Sequence, residues 1–227
     1  MGLTSKFPKW NEPIILLRIA YAFITLMICI WVVFFPRPYY WAIGIAITYI
    51  PALVAGSVID RTRFSLEDPS RSDGKTVNLF APLFFVSGAL SLRTIFDFQI
   101  TSEWDLLIIT APTGLVLALL VWSIINKANF LVVLVFSIMY TWPVAIQLND
   151  ISPPSNEVIF SGSISRKYSS TKPVTYTVVV KSGKEEKHIS VSRAAYSRYS
   201  LGGRACAKEV TGWLGITTRF PIPCEHL

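Results

Sequence analysis

Charge is scarce in this chain. Asp, Glu, Lys and Arg make up 15% of its 227 residues, whereas a soluble domain averages roughly 25%. Histidine is scarcer still, with two copies, and there are three cysteines. No Cys-x-x-Cys occurs, and His188 and His226 have no ligand-like spacing, so a zinc site is not expected. There is no His-Glu-x-x-His, no Gly-x-Ser-x-Gly and no phosphate-binding glycine loop. His188 stands among polar strand residues and His226 beside the C-terminus, so neither reads as a catalytic base. The expectation is a protein that is not an enzyme and carries no cofactor or metal.

Apolar residues are what the chain has in abundance, at 52%. They are gathered into runs long enough to cross a bilayer, which takes about 20 residues of helix for about 30 Å of hydrocarbon. Five such spans are predicted, over residues 13–35, 39–59, 77–96, 105–125 and 130–148, of which 77–96 has the weakest apolar pattern. Pro36-Arg37-Pro38 and Asn126-Lys127-Ala128-Asn129 are short enough to be tight turns, making antiparallel hairpins of spans one and two and of spans four and five. Trp31, Trp41, Trp104, Trp122, Tyr140 and Trp142 fall near span ends, the level amphipathic rings prefer. The first run is too long for a cleavable signal peptide, and no small-residue cleavage site follows it.

Polar residues within the spans gather at their ends. Arg18 is close enough to the start of the first span to snorkel, and Asp60 and Asp105 close and open spans. Arg93 and Asp97, four apart, form a candidate pair at an end of the third. Pro51, Pro82 and Pro112 read as local bends or helix starts.

The composition changes at residue 150. Residues 1–150 hold 10 Lys and Arg against 9 Asp and Glu; residues 151–227 hold 11 against 5, a net of +6. Residues 151–156, with Pro153 and Pro154, read as a linker, and 157–227 as a soluble β domain. Strands are predicted over Val158–Ser165, Thr175–Val180, Lys187–Val191, Ala205–Thr211 and Thr217–Phe220. Lys181-Ser182-Gly183-Lys184 is a hairpin turn, and Ser192 caps a short helix from Arg193 to Tyr199. The expected fold is therefore an all-α membrane bundle of five transmembrane helices, followed by a small extracytoplasmic all-β, barrel-like domain with one short helix.

Orientation follows from the loops. With five spans, Lys6, Lys9, Arg61, Arg63, Arg71, Lys75 and Lys127 share one side, and Arg37 and Arg93 the other. Seven against two places the first side in the cytoplasm. The N-terminus is then cytoplasmic and the tail periplasmic, in a bacterial inner membrane. If 77–96 is re-entrant, four spans remain and the tail is cytoplasmic. Cys29 reads as a small core residue, while Cys206 and Cys224 share the tail and would pair as a disulfide in an oxidising compartment.

The basic tail suggests an anionic partner. A candidate rim comprises Arg166, Lys167, Lys172, Arg193, Arg198 and Arg204, with Tyr196 and Tyr199 beside them. A solvated lysine-rich surface accounts equally well for the charge. Expected partners are the lipid bilayer and a protein or a second copy of the chain; nucleic acid is not expected, and no small-molecule substrate is identified. The function these features suggest is presentation of a binding module, as in an envelope complex, a sensor or a toxin-immunity protein. A small transporter or channel subunit is the alternative. Membrane-tethered nucleic-acid binding would follow from a cytoplasmic tail.

Overall fold

The structure is a computed structural model that describes residues 13–59, 64–66, 77–125, 129–171 and 174–224. The expected loop cations Lys6, Lys9, Arg61, Arg63, Arg71, Lys75 and Lys127, together with Asp60, Lys172 and His226, lie outside the described residues.

Five long helices are present: α1 (Pro13–Phe34), α2 (Tyr39–Ile59), α3 (Phe80–Asp97), α4 (Glu103–Ile124) and α5 (Phe130–Ile151). All five are long and apolar enough to cross a membrane, which suggests a multi-pass membrane protein. The shortest, α3, has 18 residues, about 27 Å of helix. It starts later than the sequence suggested, because Val77–Asn78 forms a strand, β2, paired in parallel with β1 (Phe64–Ser65). Asn78 is the reason for the later start: its Oδ1 accepts from Phe80 N at 2.9 Å and caps the helix.

The described residues divide into two compact units. One holds those up to Arg93 and Thr110–Val144; the other holds Thr94–Ile109 and the residues from Ala145 onward. The division does not follow the change of composition at residue 150.

In the first unit the core is made of side chains such as Val32, Ile43, Leu79, Val86, Leu90 and Val133. Phe23, Phe85, Leu119 and Leu131 remain exposed. Prolines inside α2 and α5 each deprive a carbonyl four residues earlier of its helical donor. For Pro51 that carbonyl is Ile47, and the Tyr140 hydroxyl of α5 donates to it. For Pro143 it is Met139, and Ser91 Oγ of α3 donates to it at 3.3 Å. Hydroxyls from neighbouring helices thus satisfy the groups that proline frees, as apolar surroundings require. On α4, a Cβ at Gly114 would sit 3.1 Å from both Ile138 Cγ1 and Thr141 Oγ1, so glycine lets α5 approach closely.

The second unit contains a curled, six-stranded antiparallel sheet, a half-barrel. Its strands are β3 (Gln99–Ile100), β4 (Asn156–Thr171), β5 (Val174–Ser182), β6 (Glu185–Val191), β7 (Arg204–Thr211) and β8 (Thr217–Ile222). Their order is β3-β8-β7-β4-β5-β6. The long β4 pairs with β7 through its first half and with β5 through its second. It changes partner near a register shift between Ile164 and Arg166, where an extra residue bends a strand. Gly162 permits the bend, because a Cβ there would lie 2.3 Å from the Lys181 carbonyl oxygen. Phe160, Ile164, Val178, Val180, Ile189, Ala205 and Ala207 form the inner apolar cluster. The short helix α6 (Arg193–Arg198) is capped by Ser192, whose side chain accepts from Ala195 N.

Candidate partner-binding face of the half-barrel

Cys206 and Cys224 stand at disulfide distance, with Cα atoms 5.4 Å apart and a sequence separation of 18. The bridge ties the segment after β8 to the middle of β7.

The expected basic rim divides into engaged and unengaged groups. Arg166 pairs with Glu186 at 2.8 Å across β4 and β6. Lys167 donates to the Tyr199 carbonyl and lies 4.4 Å over the Tyr196 ring, which itself packs against Tyr176 at 5.2 Å. Lys167, Tyr196 and Tyr199 therefore fasten α6 and the turn after it to the sheet. Arg193 and Arg198 on α6, and Arg204 at the start of β7, are exposed. No hydrogen bond or ion pair engages these three side chains among the described residues. The pattern missed Lys181: it pairs with Ser163 on one side of β4 while Arg204 pairs with Ser163 on the other. One cross-strand row therefore carries two exposed cations with a serine between them.

A second charged group was not anticipated. On the inner side of the sheet, Glu209 accepts from Lys187 at 2.8 Å and from Arg219 at 2.6 Å. The Lys187 amine also lies 4.8 Å over the Phe160 ring. Burial raises the Glu209 carboxyl, but hydrogen bonds from Lys187 and Arg219 and their two charges outweigh it, and the net result is below the usual glutamate range. Strand alternation could have found Lys187, which shares a face with Ile189 and Val191. Gln99 was beyond that reading. Its Nε2 donates to the His188 carbonyl at 2.9 Å and its Oε1 accepts from Ser190 N at 2.8 Å. One side-chain amide thus makes the two bonds a neighbouring strand would make, and joins the β3 edge of the sheet to the β6 edge. Arg219 donates to the same His188 carbonyl at 2.6 Å. The inner charges are paired and hydrogen-bonded, so they brace the sheet.

His188 is exposed, as expected, with Nδ1 2.7 Å from the Tyr168 hydroxyl. Arg93, in the first unit, lies 5.8 Å over the Tyr39 ring, while Asp97 ends α3 in the second. Among the described residues, no group of three or more His, Cys, Asp or Glu side chains has a geometry that could hold a metal ion.

No protein-family model matches this chain, and no curated protein or solved structure matches it.

Proposed function

We propose that this chain is a bacterial inner-membrane protein with a cytoplasmic N-terminus, and that its half-barrel is a periplasmic binding module for an acidic protein surface. The observation that carries the reading is the set of exposed cations Lys181, Arg193, Arg198 and Arg204, none with an acidic partner among the described residues. They stand on a module whose inner charges are already paired. Unpaired surface cations of one sign steer and select anionic partners. The distribution of cations between loops supports the orientation. The cysteine pair in the tail supports an oxidising compartment. An envelope-complex component, a sensor and a toxin-immunity protein all share this role, with the helices as anchor and the half-barrel as the recognising part.

Two experiments test it. Alkaline phosphatase fused after Leu227 should be active and a fluorescent reporter there dark, with the reverse for fusions near Ser70. The opposite pattern overturns the topology. Full-length protein in neutral nanodiscs should bind a polyglutamate peptide, more weakly as salt rises. The triple variant Arg193→Glu, Arg198→Glu, Arg204→Glu should lose that binding while its circular dichroism is unchanged. Equal binding by both proteins, or none by either, removes the half-barrel as an acidic-surface reader.

A further inference from the structure

The first unit contains a groove of about 540 Å³ between α1 and the start of α3, within the part of the chain that reads as membrane-embedded. On α1 its wall is formed by residues that recur at helical spacing from Arg18 to Cys29, a single face about 16 Å long. The hollow has a plain cause. Ala22 on α1 and Ala81 on α3 present only methyl groups to it. It also opens outward, since its bordering Leu26 and Phe85 are 54% and 57% exposed.

The ends of the groove differ in chemistry. One holds Arg18, Tyr21 and Asn78; the other holds Leu26, Cys29 and Phe85. Arg18 stands three residues past Ile15, where the first apolar span begins, a depth from which a long cationic side chain reaches the headgroups. A cation at headgroup depth with an apolar channel running from it towards the bilayer centre is complementary to one class of molecule. We infer that the groove between α1 and α3 is a specific site for an anionic glycerophospholipid, with its phosphate at Arg18 and one acyl chain along Ala22, Ala81 and Phe85. Basic pockets between membrane helices bind anionic headgroups by this logic. Such a site needs only that the helices lie in a bilayer, and it stands or falls separately from peptide binding by the half-barrel.

The test uses the full-length protein in phosphatidylcholine nanodiscs doped with a phosphatidylglycerol that carries a photoactivatable acyl chain. Adducts mapped by mass spectrometry should concentrate on α1 between Tyr21 and Cys29 and on α3 between Ala81 and Phe85, several-fold above α4 and α5. Ala22→Phe should fill the hollow and remove the excess; if that variant misfolds by circular dichroism, Ala81→Phe makes the same change from the opposite wall. Arg18→Gln should abolish the preference for phosphatidylglycerol over an equally labelled phosphatidylcholine and leave labelling by the neutral lipid in place. Adducts spread evenly over all five helices overturn the site. So does equal labelling by both lipids in the wild type, or protein–protein cross-links through α1, which would mean that a second copy fills the groove.

Discussion

The link between Pro51 and Tyr140 makes a quantitative prediction. Pro51 leaves the Ile47 carbonyl without its helical donor, and the Tyr140 hydroxyl takes that donor's place. Tyr140 is 6% exposed and Ile47 half-buried, so Tyr140→Phe keeps the packing and strands a half-buried acceptor. An unsatisfied buried acceptor costs about 1–3 kcal/mol in water-soluble proteins, while hydrogen bonds between membrane helices average about 0.6 kcal/mol and reach about 1.7. The expected cost of Tyr140→Phe is therefore about 1 kcal/mol. In a Pro51→Ala background the new backbone N–H serves Ile47 itself, and the same substitution should cost almost nothing. The coupling of about 1 kcal/mol stands clear of the roughly 0.5 kcal/mol scatter of independent sites. The four proteins are compared by reversible unfolding in mixed micelles followed by circular dichroism, and the cycle subtracts whatever Pro51→Ala does by itself. A coupling below about 0.5 kcal/mol refutes the substitution of donors. Ser91→Ala with Pro143→Ala is a second cycle, and its longer contact of 3.3 Å predicts a smaller coupling.

Other perturbations address the half-barrel. Replacing Cys206 and Cys224 together by alanine opens a loop of separation 18 and should cost about 3 kcal/mol in the chain-entropy model; thiol titration of the unfolded wild type should find Cys29 alone, and three reactive thiols would contradict the bridge. Because Glu209 is held below the usual glutamate range, its contribution is complete above the unfolded-state value of about 4.3 and is lost as pH falls through the lower folded value. Acid unfolding of the wild type should therefore steepen below about pH 4.3, and Glu209→Gln should flatten that limb; parallel acid limbs would remove Glu209 as its source. Gly162→Ala pushes a methyl group to 2.3 Å from the Lys181 carbonyl oxygen, and the strain should cost about 1–3 kcal/mol, read as faster proteolysis of the tail. Unchanged proteolysis would mean that β4 bends elsewhere.

The five long helices were legible because transfer of apolar side chains dominates their local preference and continues over whole spans. Their ends were less so. The start at 77 was set by apolar content, yet Asn78 caps the helix with its side chain and leaves Val77 extended. Strands were legible where one face is buried, as in Ile189 and Val191 of β6 or Ala205 and Ala207 of β7. The second half of β4 was not, since Arg166 to Ser170 is polar and pairs with β5 alone, so no alternation marks it. Of the candidate site, the cysteine pair and the exposed arginines could be read from composition. The division between Lys167, which fastens α6, and Arg198, which is exposed, depends on where the tyrosines pack. No local pattern reports that.

The pairing of β3 with β8 bears on how the protein is made. Thr217 N donates to Ser102 Oγ across a sequence separation of 115, and Thr101 Oγ1 donates to the Thr217 carbonyl across 116. The edge strand therefore leaves the ribosome long before its partner, and two more apolar helices must be synthesised and placed in between. Until β8 arrives, Gln99 and its neighbours wait with unmet backbone groups, and contacts of such long range form slowly. A tail produced without the α3–α4 connection would present the mirror image of that problem: an uncovered β8 edge, open to pairing with another chain. Sheet completion thus waits until α4, α5 and the tail have been made, and that interval is when this protein is most exposed to misassembly.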